Sequence, residues 1–319
     1  MPDTASPVLV VDTDGGVDDA QALLMLLGAG RVPALVTTVF GNVALEAATR
    51  NVLATLASGG AGDVPVHPGA ARPLLAPRIE ARHIHGEDGL GGAPRPAGLA
   101  AAREEGAVDA LRGLLRAAAP ASVDLLFLGP LTNLAILLSL DPGVAVAVRR
   151  LVIMGGTLEG RGNTTPAAEF NILSDPEAAR IVLTSGLPIE LVPWEPCRRH
   201  VMTGDEIDAV FASAPDSEGR RFSEALARHA RRTNASYGAG DVFRFVDPLA
   251  AALLLEPGIA RRTSRASLDV VLGEGPGRGL VLVDPSGRLG TPEVLLLEEA
   301  DLERLHALFA ASVDPAARG

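Results

Sequence analysis

Short apolar runs alternate along this chain with stretches of helical length, and that alternation restricts the fold more than any other feature. Val8–Val11, Ala34–Phe40, Val123–Leu128, Leu151–Met154 and Ile189–Val192 read as strands buried on both faces. Between them lie helical stretches over about Val17–Leu27, Leu45–Ser58 and Ala107–Ala118, then one after Asn133. Another opens at Asp175-Pro176, where Asp caps and Pro fits the first turn. A βαβα rhythm predicts an α/β fold, a mainly parallel open sheet with helices on both faces. Residues 203–255 read as mostly helical, 266–297 as a few short antiparallel strands near the C-terminus, and Glu298–Ala311 as a closing helix. The Gly-rich GEGPGRG at 273–279 reads as a hairpin turn, because it lacks the strand-to-helix setting of a phosphate loop. Residues 68–98, rich in Gly, Pro, His and Arg, read as a long functional loop. Without an internal repeat, residues 1–319 are expected to form a single domain.

Composition narrows the function. The net charge of -11 and pI of about 5.1 argue against nucleic acid as a partner. All 28 basic residues are Arg, which removes any lysine-based mechanism. The single cysteine, Cys197, excludes an internal disulfide and a cysteine-built zinc site. No charged-then-apolar leader precedes the first strand, and no apolar run reaches the roughly 18 residues of a membrane span. A soluble, cytoplasmic protein with no membrane partner is expected.

The chemistry gathers where strands end. Val8–Val11 runs straight into Asp12, Asp14, Asp18 and Asp19, four carboxylates between a strand end and a helix start. Like charges this close raise one another's pKa unless a cation holds them. Hard cations take carboxylate oxygens, and ligand crevices of open α/β sheets lie outside the carboxyl ends of strands. The cluster reads as a divalent-metal active site. It is not an EF-hand loop, since counting from Asp12 the fifth and sixth positions hold Gly16 and Val17. A haloacid-dehalogenase-type phosphatase also opens on Asp-x-Asp, but Gly16 stands where it expects Thr or Val, and its later Lys is missing.

Other polar segments follow strands: Gly41-Asn42, GPLTN at 129–133 after Leu128, and Met154-Gly155-Gly156. Strand ends on one rim converge, so these should line one pocket. Glu169-Phe170-Asn171, after a loop containing Asn163, and Val246-Asp247-Pro248 look equipped to join them. Asp141 and Asp175 also precede Pro and read as helix caps. His83 and His85 sit in the long loop, whereas His67, His200, His229 and His306 carry no motif.

Together these segments resemble the inosine–uridine-preferring nucleoside hydrolase family. Its signature is close to DTDPGxDDA, and this chain has DTDGGVDDA; GN at 41–42, HG at 85–86, GPLTN, MGG at 154–156, N-x5-EFN at 163–171 and DP at 247–248 follow in the family's order. The resemblance implies calcium-dependent hydrolysis of the N-glycosidic bond of ribonucleosides by a homodimer or homotetramer. It assigns calcium to the carboxylates of Asp14, Asp19 and Asp247 and the backbone carbonyl of Leu128. Asp14 also becomes the general base. Asp18, Asn42, Asn163, Glu169 and Asn171 match residues that grip ribose, Met154 matches a pocket residue, and His85 joins the substrate site. Asp12 orients the metal's surroundings. Two departures stand out. Gly15 replaces the usual Pro, which loosens the loop. Val246 stands where many members carry His as a leaving-group acid, leaving His85, His83, Tyr237 or Arg244, or stacking on Phe243 or Phe245, to substitute. The rival readings are a non-catalytic nucleoside or ribose binder and a metal-dependent phosphohydrolase.

Overall fold

The computed structural model describes residues 6–315. Its elements run β1 (Val8–Thr13), α1 (Val17–Gly28), β2 (Leu35–Thr38), α2 (Leu45–Ser58), β3 (Val66–Pro68), α3 (Arg82–His85), α4 (Ala107–Ala117), β4 (Val123–Phe127), α5 (Thr132–Leu140) and β5 (Val148–Met154). They continue with α6 (Phe170–Ser174), α7 (Pro176–Leu183), β6 (Ile189–Val192), α8 (Trp194–Arg199), β7 (Val201–Thr203), α9 (Gly204–Ser213), α10 (Glu218–Ser236), β8 (Val242–Arg244), α11 (Asp247–Leu255), β9 (Ala260–Val270), β10 (Val281–Asp284), β11 (Glu293–Ala300) and α12 (Leu302–Ser312).

One sheet carries nine of the strands in the order β10-β9-β11-β6-β5-β4-β1-β2-β3. From β3 to β11 every neighbouring pair is parallel, and β9 and β10 add the antiparallel edge expected near the C-terminus. Residues 273–279 lie in the β9–β10 hairpin connection, as their composition predicts. The central strands are apolar throughout because both their faces are covered. Leu9, Val11, Leu126, Val152 and Val192 pack beneath α1, α2, α11 and α12, whereas Val10, Leu125, Leu151 and Ile189 pack beneath α4, α5 and α7. Phe211, Phe243, Phe245 and Phe309 close the first layer edge to face and tilted, with centroids 5.0–6.2 Å apart.

Two readings need correction. Glu298–Ala300 belongs to β11, because Leu295 and Leu296 pair with β6 on one side and the strand continues along β9 on the other. The closing helix starts only after Asp301, whose carboxylate accepts the Arg304 N–H as its cap. Asp175 does cap α7, but Asp141 caps nothing with its side chain. The Arg112 and Arg116 guanidiniums grip that carboxylate and hold its pKa down at about 2. Among the described residues no helix is long and apolar enough to cross a membrane.

The order reverses between β1 and β4: β2 and β3 continue to one side of β1, and β4, β5 and β6 to the other. Connections leave in opposite directions there, which opens a crevice beyond the carboxyl ends of β1 and β4. The acidic turn and Leu128 flank it.

Candidate active site

A cavity of about 620 Å³ opens at this switch point. Asp18, Asn42, His85, Leu128, Met154, Asn163, Glu169, Asn171 and Asp247 all line it, so segments spread over most of the chain meet in one place. Asp14 and Asp19 lie in its floor with no exposed surface, and Asp12 lies deeper still.

The floor is built from two helix starts. Asp18 and Asp19 occupy the first turn of α1, and Asp247 opens α11, which packs against α1. Helix N-termini favour negative charge, so both elements are suited to presenting carboxylates. One oxygen from each of Asp18, Asp19 and Asp247 lies within 4.8 Å of the others. Asp19 accepts the Gly16 N–H at 2.9 Å and the Thr13 hydroxyl, which fixes it at the start of α1. Asp14 is gripped by one residue: Asn42 donates its backbone N–H at 2.7 Å to Oδ2 and its Nδ2 at 2.8 Å to Oδ1. The same Nδ2 reaches Asp19 Oδ2 at 3.1 Å. Asn42 therefore has only its carbonyl oxygen left to offer a substrate. Gly41 is required beside it, because a Cβ there would stand 2.0 Å from Asp14 Oδ2.

Burial raises the pKa of Asp14, Asp19 and Asp247, and mutual repulsion raises all three further. Asp18 is pushed up to about 6 by burial, and its Oδ1 is buried with no hydrogen-bond partner. Among the described residues no arginine pairs with any of the four. A divalent cation fits this set, because it would neutralise the cluster of buried carboxylates. The Leu128 carbonyl faces the same cavity and accepts Asn171 Nδ2 at 2.8 Å.

Asp12 is tied from behind. Thr37 donates to its Oδ2 at 2.5 Å and Asn133 at 2.7 Å, and burial lifts its pKa to about 7. Asn133 also donates to the Thr38 carbonyl and accepts from Ala70 N–H, so the GPLTN asparagine ties the ends of β1 and β2 to the segment after β3. Glu169 caps α6, accepting N–H groups from Asn171, Ile172 and Gly156, while burial raises its pKa to about 7. Asn163 sits at the rim, its Oδ1 accepting the Phe170 N–H at 2.9 Å.

The leaving-group side differs from expectation. His85 Nδ1 accepts the Val17 N–H at 3.1 Å, so the proton of the neutral ring sits on Nε2. Burial holds its pKa down at about 4, which leaves it neutral at pH 7 and a poor acid. Phe245 faces away, fully buried and stacked on His306. Phe243 is buried against Phe245 and Phe309 but also lines the cavity. Tyr237, His83 and Arg244 do line the cavity. So does His229, which motif reading set aside; its Nε2 bonds the Ile84 carbonyl at 2.9 Å and ties α10 to the long loop. Trp194 and Arg198 were missed as well. The signal was present, because Trp194, the chain's one tryptophan, follows β6 directly, the same strand-end setting that marked the others.

Gly15 does more than loosen its loop. Its φ of +68° is left-handed, and a Cβ would stand 2.7 Å from the Ala48 backbone.

Comparison with known proteins agrees with this geometry. The chain is 39% identical over 290 residues to the non-specific ribonucleoside hydrolase RihC of Salmonella enteritidis, covering 91% of both chains. An uncharacterised Schizosaccharomyces pombe protein is 42% identical over 188 residues, 59% of this chain and 61% of its own length. The solved structure of a plant nucleoside hydrolase superposes with a TM-score of 0.89 at 29% identity, covering 97% of this chain and 99% of that one. A sequence model of the inosine-uridine preferring nucleoside hydrolases matches residues 9–307, and the chain belongs to that family.

Proposed function

We propose that this protein hydrolyses the N-glycosidic bond of ribonucleosides, releasing ribose and free base, with calcium as its metal. The observation that carries the reading is the un-neutralised convergence of Asp18, Asp19 and Asp247 oxygens within 4.8 Å on the floor of a nucleoside-sized cavity. By the family resemblance Asp14, Asp19, Asp247 and the Leu128 carbonyl would hold the ion; of these, Asp19 and Asp247 belong to the converging set, whose third member, Asp18, the resemblance assigns to the sugar. When bound, calcium supplies a Lewis acid that lowers the pKa of water and attracts sugar hydroxyls.

The residues divide the rest of the work. Asp14, oriented on both oxygens by Asn42, accepts the proton of the attacking water. Asp18, with its orphaned Oδ1, meets a ribose hydroxyl. Asn42, Asn163, Glu169 and Asn171 fix the sugar, and their oxygens stabilise the positive charge that grows on it as the bond breaks. Met154 and His85 wall the site. Attack opposite the base predicts inversion at C1′. Val246 has no proton to give, so bases that leave readily should be favoured. By the same resemblance the enzyme works as a homodimer or homotetramer, a single domain per chain.

The test is a panel of ribonucleosides and deoxyribonucleosides scored by released reducing sugar, with calcium and after chelation. Ribosides should be cleaved far faster than deoxyribosides, and activity should vanish with chelator and return with calcium. Ribose binding without turnover of any riboside would support the binder instead. Phosphate released from sugar phosphates, with magnesium preferred, would support the phosphohydrolase.

A further inference from the structure

The same cavity carries two guanidiniums that no carboxylate of the described chain neutralises. Arg198 on α8 and Arg244 on β8 both line its wall, the first exposed and the second half-buried. The Arg244 guanidinium carbon lies 5.8 Å from the Trp194 ring centroid, in cation–π range. Its Nε is buried with no hydrogen-bond partner. Glu195 on the same helix and Glu80 on the same cavity are engaged elsewhere. Glu195, one turn before Arg198, accepts the Leu158 and Glu159 N–H groups at 2.8 Å. Glu80, which also lines the cavity, is held by Arg78 and Arg82. Burial and the neighbouring Arg198 charge both disfavour the Arg244 cation. Elsewhere this chain of net charge -11 pairs its arginines readily, as Arg231 does with Asp208 and Asp241. Two adjacent unpaired cations on a pocket wall call for an anion from outside.

We propose that Arg198 and Arg244, the latter braced by Trp194, form a phosphate subsite that takes the 5′-phosphate of a ribonucleoside 5′-monophosphate. This rests on the reading of the floor as a ribose site. Two planar forks match the oxygens of a phosphomonoester, and two positive charges match its dianion. Position supports one ligand spanning both parts. Trp194 N–H donates to the Gly156 carbonyl, and Gly156 N–H donates to Glu169, so the arginine wall adjoins the residues assigned to the sugar. Asp18, Glu80, Glu169 and Asp247 are the anions that line the cavity; Arg78 and Arg82 hold Glu80, and a bound cation on the floor would offset the others.

Calorimetric titration of the calcium-loaded protein with ribose and with ribose 5-phosphate tests this. Ribose 5-phosphate should bind at least about tenfold more tightly, and added salt should shrink the gain. Arg198→Gln and Arg244→Gln should each bring the ratio of the two affinities towards one. Arg198 is exposed, so its variant keeps the fold even if the β8 variant does not. Equal affinity for the two sugars would overturn the subsite while leaving the ribose pocket standing. A gain that survives in Arg198→Gln and in a folded Arg244→Gln would overturn it too, since phosphate would then be meeting the metal. Failure to bind either sugar would overturn both the subsite and the reading beneath it.

Discussion

Asp14 and Asn42 behave as one unit. Both carboxylate oxygens are held at 2.7–2.8 Å, which fixes the group's orientation at the floor. Asp14→Asn keeps the shape but removes the proposed base. Turnover should fall by about 10²–10⁴-fold while a ribose analogue still binds. Single-turnover kinetics beside a binding titration separates the two, and near-normal turnover would end the base assignment. Val246 poses the complementary question. It stands immediately before Asp247 and α11 and lines the cavity, and the His85 ring in the same cavity is neutral. Val246→His places a titratable donor at that position, so kcat/KM on inosine should rise, with a new dependence on an ionisation near pH 6–7 by the usual histidine range. An unchanged pH profile would show that base departure is already assisted from elsewhere in the wall.

At the scale of elements, the turn from β1 to α1 sets the site. Gly15 is left-handed there, its N–H meets Thr13 Oγ1 at 3.2 Å, and its carbonyl accepts Asn51 Nδ2 at 2.9 Å. That amide also donates to the Asp88 carbonyl, and Asn51 Oδ1 accepts Arg95, which couples the turn to the long loop. Restoring the family's Pro should therefore harm this chain. A proline ring holds φ near about -65° and has no N–H, so Gly15→Pro should cost about 1–3 kcal/mol in denaturant unfolding and weaken activity. Equal stability would mean that the turn can take a right-handed path. The central strands were legible because burial on both faces makes Val8–Val11 or Val123–Leu128 apolar without interruption. The strand-end rule then found most of the pocket lining. Three-residue strands such as β3, β7 and β8 left no such trace, since distant partners hold them. Glu298–Ala300 was misread for the same reason: its charged, helix-favouring residues lie in β11 because β9 pairs with them. Trp194 and Arg198 escaped because α8 spans only six residues, without a clear period.

The whole molecule holds its acidic cluster against electrostatic cost. Asp12, Asp14, Asp18, Asp19, Asp247 and Glu169 are all raised in pKa by burial, to about 7 for Asp12 and Glu169 and about 6 for Asp18. In the metal-free fold each keeps its proton at a pH where the unfolded chain, titrating near 3.8 for Asp and 4.5 for Glu, has lost it. The native state binds more protons over that interval, so Asp12, Asp18 and Glu169 contribute their full stability below about pH 4 and lose it as pH rises through about 6–7. Paired carboxylates such as Asp141, held down at about 2, keep their contribution across the same interval. A cation bound by the cluster competes with the protons and stabilises only the folded chain. The gain in melting temperature on adding calcium should therefore be small at about pH 5 and grow steadily towards about pH 7.5. Thermal melts with calcium and with chelator across that range measure it, and a gain that does not change with pH would place the calcium somewhere other than on these carboxylates.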